Sequence, residues 1–177
     1  QPLSPYGVSK LAAEHLCVLY WRNFQVPTVS LRYFTVYGPR QRPDMAFHKF
    51  IRAGLSGQPI GLFGDGEQTR DFTYVDDAVE ANLLAADRGA PGTVYNIGGG
   101  SRVTVNQVLA TLERIMERQL TIDRQPTQKG DVTHTFADTT RARTELGFCP
   151  KVSIEDGLRR EYEWFLENRD LLMPNGR

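Results

Sequence analysis

The stretch Pro5-Tyr6-Gly7-Val8-Ser9-Lys10 opens a predicted helix that runs to about Asn23, and Val26-Pro27-Thr28-Val29-Ser30-Leu31-Arg32 follows it directly. A proline in the first turn, after a serine (Ser4) that can cap it, is typical of a helix start. The second stretch is short and rich in β-branched residues, which favours a strand. Because a strand directly after a helix is the alternation found in parallel sheets, these residues predict an α/β fold.

Two residues of this helix can carry chemistry. Tyr6 and Lys10 are four positions apart and therefore share one face. A fixed ammonium beside a phenol favours the phenolate, so the pair is a usable general base. The chain has 7 tyrosines, and a Tyr-x-x-x-Lys pair also arises by chance as two solvated neighbours. The rest of the chain has to separate these two interpretations.

Composition limits the classes of function. The chain has 177 residues, of which 40% are hydrophobic and 24% charged, so we expect a packed core and one domain or a domain and a half. The formal net charge of +0 gives no reason to expect a nucleic acid or an anionic membrane as partner. No apolar run reaches the length of a membrane span, and none has the pattern of a signal peptide. We expect a cytoplasmic protein.

The two cysteines, Cys17 and Cys149, are far apart in sequence. Their spacing is unlike that of a metal site, so we expect no metal centre. Buried free thiols in a reducing cytosol are the better interpretation.

Aromatic residues gather where the first strand ends. The segment is Arg32-Tyr33-Phe34-Thr35-Val36-Tyr37-Gly38-Pro39. Ligands bind at the carboxyl ends of strands in parallel sheets, so this segment is either a ligand platform or an aromatic edge of the core.

Further elements follow from periodicity and turn residues. Thr104 and Gln107 form a predicted capping box. Gly98-Gly99-Gly100 predicts a flexible turn, because it has neither the spaced glycines of a dinucleotide fingerprint nor the ending of a P-loop. The predicted helices are 45–56, 78–87, 104–118, 139–146 and 153–168, and the predicted strands are 60–63, 70–75, 93–97 and 120–124.

Taken in order, these segments resemble the second half of the extended short-chain dehydrogenase/reductase family, the NAD-dependent nucleotide-sugar epimerases and dehydratases. Four motifs carry the resemblance. They are Ser4-Pro5-Tyr6-Gly7-x-Ser9-Lys10, Arg32 to Pro39, Gly64-Asp65-Gly66-x-x-x-Arg70-Asp71-Phe72-x-x-Val75-x-Asp77, and Gly130-Asp131-Val132 followed by Ala137-Asp138 and Leu146-Gly147. The loop Pro39-Arg40-Gln41-Arg42-Pro43-Asp44-Met45 is most similar to UDP-glucose and UDP-glucuronate 4-epimerases.

The resemblance implies an architecture. The expected fold is the C-terminal portion of a Rossmann-like parallel sheet plus a small α/β substrate-binding domain. Residues 1–44 would end the dinucleotide-binding domain. Residues 45–177 would form mainly the substrate-binding domain, with segments of about 70–97 returning to the Rossmann sheet.

The resemblance also implies a reaction, the NAD-dependent epimerisation of a UDP-sugar at C4. Tyr6 would take the proton of the sugar 4-hydroxyl as hydride leaves C4 for the nicotinamide. Lys10 would hold the nicotinamide ribose, and Tyr33 would lie near the nicotinamide. The 4-keto sugar would then turn over and receive the hydride on its other face.

Substrate contacts are implied in the same way. Phe63 would lie near the uracil, and Arg70 would clamp the diphosphate. Gln128 and Asp131 fall where the family contacts the diphosphate and ribose, although a plain polar turn fits them equally well. Thr35 stands where the family usually has Asn, so a substrate contact there is expected to be altered.

Alternatives stay open from sequence. A nucleotide-sugar dehydratase or a UDP-glucuronate decarboxylase of the same family is one, and a non-catalytic sugar-nucleotide-binding or assembly module is another. The sequence has no Gly-rich dinucleotide loop before Tyr6, so we expect this chain alone to be inactive. The opening helix resembles the family's dimer helix. We expect its apolar stripe to be exposed and to support a homodimer.

Overall fold

The computed structural model describes residues 2, 4–100, 102–127 and 134–173. The helices are α1 (Pro5–Phe24), α2 (Ala46–Ser56), α3 (Val75–Arg88), α4 (Val105–Met116), α5 (Ile154–Glu167) and α6 (Arg169–Leu172), with a π-helical turn at Ala142–Leu146. The strands are β1 (Val29–Tyr33), β2 (Val36–Tyr37), β3 (Ile60–Phe63), β4 (Thr69–Asp71), β5 (Thr73–Tyr74), β6 (Thr93–Ile97), β7 (Arg102–Thr104) and β8 (Ile122–Gln125).

The strands associate in pairs, most of them parallel. β1 pairs with β6, β2 with β5 and β3 with β8 in parallel, while β4 and β7 are antiparallel. In the longest pair, Val29 lies opposite Thr93 and Tyr33 opposite Ile97. Helices alternate with these strands along the chain. The predicted α/β class is therefore confirmed.

The strand predicted over 70–75 is wrong in one respect, because the chain breaks at Phe72 into β4 and β5. The two short strands join different partners. Phe72 packs against the rings of Tyr37 and Phe47, and a Cβ on Gly99 would collide with its carbonyl oxygen. The chain breaks where this ring is buried and where Gly99 approaches closely. The period-two alternation of the sequence does not reveal such contacts.

The side chains pack in two hydrophobic clusters. The larger is built on α2, α4, α5, β3 and the short strands β2 and β5. The smaller is built on α3, β6 and the π-helical turn, with Val29 and Leu31 of β1 packed against it. Two clusters are compatible with the predicted division at residue 44, which stays a proposal.

The helix caps follow the sequence. The Ser4 hydroxyl accepts the Gly7 N–H at 3.1 Å, as predicted for the start of α1. Thr104 and Gln107 form the predicted capping box of α4. Each side-chain cap removes one unpaired backbone group at a helix start.

The glycine turn at 98–100 is held by a carboxylate. Asp71 is fully buried and accepts the N–H groups of Gly99 at 2.7 Å and Ala137 at 3.1 Å. Burial raises the pKa of Asp71, and these backbone N–H groups offset part of that rise. Asp71 thus ties the turn to β4 and to the segment at Ala137, and the predicted flexibility of the turn stays a prediction.

Helix α1 has no buried residue. The Thr28 hydroxyl, just before β1, donates to the Cys17 carbonyl of α1 at 2.7 Å, and Arg32 of β1 pairs with Glu14 of α1. The apolar stripe of the helix faces outward, with Leu16 at 55% exposure, and the predicted exposure is therefore confirmed. The exposed apolar members of that stripe and of the end of α1 are Val8, Leu11, Leu16, Leu19, Tyr20 and Phe24.

Both cysteines are free thiols, but Cys149 is exposed and Cys17 half-buried. The prediction of two buried thiols is therefore wrong. Among the described residues, no helix combines the length and apolarity that crossing a bilayer requires.

Candidate active site

Tyr6 and Lys10 lie on the first two turns of α1 and are turned outward from the core. Tyr6 is 71% exposed, and the Lys10 Nζ lies 5.5 Å from the centre of its ring. The four-residue spacing has thus placed the cation against the aromatic face, as expected on a helix. An exposed phenol with a neighbouring ammonium is accessible to an incoming hydroxyl.

A groove of about 690 Å³ separates α1 from β1, and we call it the helix–strand groove. Its wall includes Tyr6, Lys10 and Tyr33, the three residues predicted to contact the cofactor. It also contains a two-bond ion pair, in which Arg32 Nε and Nη2 each lie 2.6 Å from an oxygen of Glu14. Hydrogen bonds from Arg32 lower the pKa of Glu14. This pair fixes the orientation of α1 on β1.

A second groove, of about 410 Å³, is also lined by Tyr6, and we call it the arginine groove. Tyr6, Arg40 and Arg42 all line it, together with the turn that starts at Gly38. Arg42 also lies 2.9 Å from Asp44, in a pair whose two side chains are mostly exposed. An anionic group that enters this groove would lie beside two arginines and the phenol-bearing residue, and a guanidinium group is well suited to bind an anion.

A third cavity, the Phe63 cleft, has a volume of about 800 Å³ and lies at the carboxyl ends of β3 and β8. Phe63 exposes 44% of its surface there. Arg124 and His134 share the wall. Arg124 donates to the Asp65 carbonyl at 2.7 Å, and the His134 Nδ1 lies 2.9 Å from the Thr69 hydroxyl. A flat ring with polar neighbours suits a heterocyclic base.

Four predicted site residues, Thr35, Arg70, Gln128 and Asp131, remain to be placed. Thr35 is half-buried, and its carbonyl accepts the Thr73 N–H at 2.9 Å. Arg70 lies on β4 and donates from Nη1 to the Thr69 carbonyl at 3.0 Å. Gln128 and Asp131 fall outside the described residues. Among the described residues, no cluster of three potential metal ligands occurs.

Sequence reasoning missed several residues of these cavities. The Glu14–Arg32 pair joins residues 18 positions apart, and Arg124 and His134 reach the Phe63 cleft from a distant part of the chain. Their sequence signal is position alone: Arg32 is the last residue of the predicted strand, and Arg124 belongs to the strand paired with the one that carries Phe63.

Residues 1–98 match the family model described as the NAD dependent epimerase/dehydratase family. The chain belongs to this family. The resemblance of its motifs to nucleotide-sugar epimerases and dehydratases is thereby confirmed.

Individual members of the family support the assignment. The chain is 46% identical over 163 residues to an uncharacterised UDP-glucose epimerase of Bacillus subtilis, covering 90% of this chain and 51% of that protein. It is 39% identical over 172 residues to a UDP-glucuronate 4-epimerase of Thermodesulfobacterium geofontis, covering 97% and 53% respectively. The chain thus spans about half the length of the curated relatives it matches.

A crystal structure of UDP-glucuronic acid 4-epimerase from Bacillus cereus, in complex with UDP-glucuronic acid and NAD, superimposes on the chain with a TM-score of 0.90. The two are 46% identical, and the match covers 94% of this chain and 54% of that one. The fold of this epimerase/dehydratase chain is therefore that of the corresponding part of its relatives.

The family is NAD-dependent, and the helix–strand groove of this chain fits part of that cofactor. The Lys10 ammonium has only donors to offer, which suits ribose hydroxyls. Tyr33 adds an aromatic ring to the same wall. In the arrangement that the resemblance implies, Lys10 would hold the nicotinamide ribose and Tyr33 would lie near the nicotinamide, with Tyr6 on the same wall.

Proposed function

We propose that this chain supplies the proton-transferring pair and the sugar-nucleotide lobe of an NAD-dependent UDP-sugar 4-epimerase. One observation carries the proposal: Tyr6 belongs to the walls of both the helix–strand groove and the arginine groove. A sugar placed beside this phenol borders both a cofactor-compatible groove and a groove lined by two arginines.

The chemistry of the chain's own residues is proton transfer. Tyr6, as phenolate, accepts the proton of the sugar 4-hydroxyl, and Lys10 stabilises the phenolate charge from its place beside the ring. NAD, when bound, supplies the hydride acceptor and donor. The same phenol returns the proton once the sugar has been reduced on its other face. A single acid–base residue thus serves both half-reactions.

Binding contacts are distributed over the other cavities. Phe63 is proposed to stack on the uracil, and Arg70 to clamp the diphosphate. Gln128 and Asp131 are proposed to contact the diphosphate and ribose, and Thr35 to contact the substrate. A cytoplasmic location, where both free thiols stay reduced, belongs to the same proposal.

Calorimetry on the chain without NAD tests this proposal. UDP, UDP-glucose and UDP-glucuronate are titrated in turn, and all three should bind, because the nucleotide contacts lie within this chain. Absence of heat with every one of them would contradict the proposal. Analysis of the sugar product, in a protein competent for turnover, separates an epimerase from a dehydratase or a decarboxylase.

The arginine groove favours an acidic sugar, so UDP-glucuronate is the proposed substrate. Changing Arg42 to Ala should weaken UDP-glucuronate binding about tenfold and leave UDP-glucose nearly unchanged, because a charge-assisted hydrogen bond is lost only with the acid. The measurement is the ratio of the two calorimetric Kd values. The matched control is Arg52→Ala, an exposed arginine of α2. If Arg42→Ala weakened the binding of both ligands equally, Arg42 would not determine the selectivity.

A homodimer through α1 is the proposed assembly. Leu16→Glu places a charge on the exposed stripe and should shift the chain from dimer towards monomer in light scattering at micromolar concentration. Leu83→Glu is the control, because Leu83 is 67% exposed on α3. A monodisperse monomer before any substitution would rule out the assembly.

A further inference from the structure

One residue holds the turn that forms the wall of the arginine groove. Gln41 lies in this turn and lines the groove itself. Its backbone N–H donates to the Gly38 carbonyl at 3.0 Å. Its side-chain Nε2 donates to the Val36 carbonyl at 3.2 Å, and its Oε1 accepts the His48 N–H at 3.1 Å. A half-buried amide thus spans from β2 to the start of α2.

The acceptor role of Gln41 compensates for a missing helix cap. The residue before α2, Met45, makes no side-chain cap hydrogen bond. The His48 N–H is one of the first N–H groups of that helix, which have no partner within it. The Oε1 of Gln41 satisfies this N–H from a position seven residues earlier in sequence. The start of α2 is therefore joined to the turn that starts at Gly38.

The His48 ring adds a second link. Its Nδ1 lies 3.1 Å from the Gln41 carbonyl, and because a carbonyl only accepts, Nδ1 must carry the hydrogen. His48 is buried and packs against the ring of Phe165 at 4.6 Å between centroids. Burial lowers the pKa of His48, which favours the neutral ring. The turn is anchored in this way to the larger hydrophobic cluster.

The turn needs such support because of its backbone. Arg40 has a φ of 68°, in the left-handed region that non-glycine residues seldom adopt. Backbone in that region persists where surrounding contacts over-determine it. The residue next to Arg40 provides those contacts on two sides. Without them, the turn that carries Arg40 and Arg42 would lose its fixed course beside Tyr6.

We propose that Gln41 is the positioning residue that gives the arginine groove its selectivity for an acidic sugar. The inference rests on the proposed function as far as the ligand is concerned, but the positioning itself is independent of any ligand. Gln41 acts by holding the turn that carries the two arginines, whereas Arg40 and Arg42 contact the ligand.

The test uses two substitutions of similar shape. Gln41→Met removes both side-chain hydrogen bonds, and Gln41→Glu keeps the acceptor for the His48 N–H. The first readout is amide hydrogen exchange of His48 and its neighbours in the ligand-free chain. The second is the ratio of calorimetric Kd values for UDP-glucose and UDP-glucuronate. Gln58→Met, at an exposed position after α2, is the matched control.

We expect Gln41→Met to speed exchange at the His48 amide about fivefold or more, since this N–H loses the acceptor that Gln41 provides. Gln41→Glu should restore most of that protection. The preference for UDP-glucuronate should fall about fivefold in Gln41→Met, with UDP-glucose binding kept. Gln58→Met should change neither readout.

If amide hydrogen exchange at His48 is unchanged in Gln41→Met, the positioning role is overturned, regardless of which UDP-sugar binds. Faster exchange with an unchanged preference would overturn the link to selectivity. If neither UDP-sugar binds the unsubstituted chain, the proposed function and the selectivity claim both fail, and the exchange result alone decides whether Gln41 positions the turn.

Discussion

Tyr6→Phe should lower the rate of C4 epimerisation about 10³-fold while leaving the affinity for the UDP-sugar nearly unchanged. The substitution removes one oxygen, the one proposed to accept and return the proton, and keeps the ring against the Lys10 ammonium. The assay uses a chimaera in which the amino-terminal half of the Bacillus cereus relative is joined to this chain. Interconversion of the C4 epimers of UDP-glucuronate is followed by chromatography.

The control for this experiment is Tyr20→Phe, an exposed tyrosine on the same helix, which should keep full activity. The 177-residue chain with added NAD should show no turnover, since its sequence has no Gly-x-Gly-x-x-Gly fingerprint. Full activity in Tyr6→Phe would assign the proton transfer to another group.

Glu161→Gln should make the protein more stable at pH 8 by on the order of 3 kcal/mol, because a carboxylate buried without a partner is costly to ionise. Glu161 lies on α5 with no exposed surface, and neither of its oxygens has a hydrogen-bond partner among the described residues. The Gly38 N–H approaches the carboxyl and offsets a little of the penalty without making a hydrogen bond of ordinary geometry.

The sign of the pH dependence follows from the proton count. Burial raises the pKa of Glu161 to about 8, compared with 4.5 for a free side chain. Between these two values the folded chain holds a proton that the unfolded chain has released. The free energy of unfolding therefore falls as the pH rises from about 4.5 to about 8 and does not fall further above that range.

Denaturant unfolding at several pH values checks this expectation. The Gln variant should lose the decline between pH 5 and 8 that the parent shows. Glu163→Gln, at an exposed position of the same helix, should follow the parent at every pH. Parallel curves for the parent and Glu161→Gln would show that Glu161 is not the titrating group.

The elements of this fold were largely predictable because their signals are local. The cap at Ser4, the capping box at Thr104 and the alternation of helices and strands depend on residues within a few positions of one another. β2 and β7 were not predicted, since strands of two and three residues carry too little pattern. Their pairing is set by partners far away in sequence.

The residues of the candidate site were likewise predictable only where their signal is local. Tyr6 and Lys10 could be placed together from their spacing alone. The roles of Gln41, His48 and the Glu14–Arg32 pair depend on contacts made only after folding. Nothing in the sequence indicates that Glu161, one of many charged residues on α5, is the one without exposure.

The most direct measurement is the position of the bound sugar, observed by intermolecular nuclear Overhauser effects between UDP-glucuronate and the chain labelled at tyrosine and phenylalanine. We predict contacts from the sugar H4 to the ring of Tyr6 and from the uracil H5 to the ring of Phe63. Contacts from the sugar H4 to other rings, with none to Tyr6, would contradict this prediction.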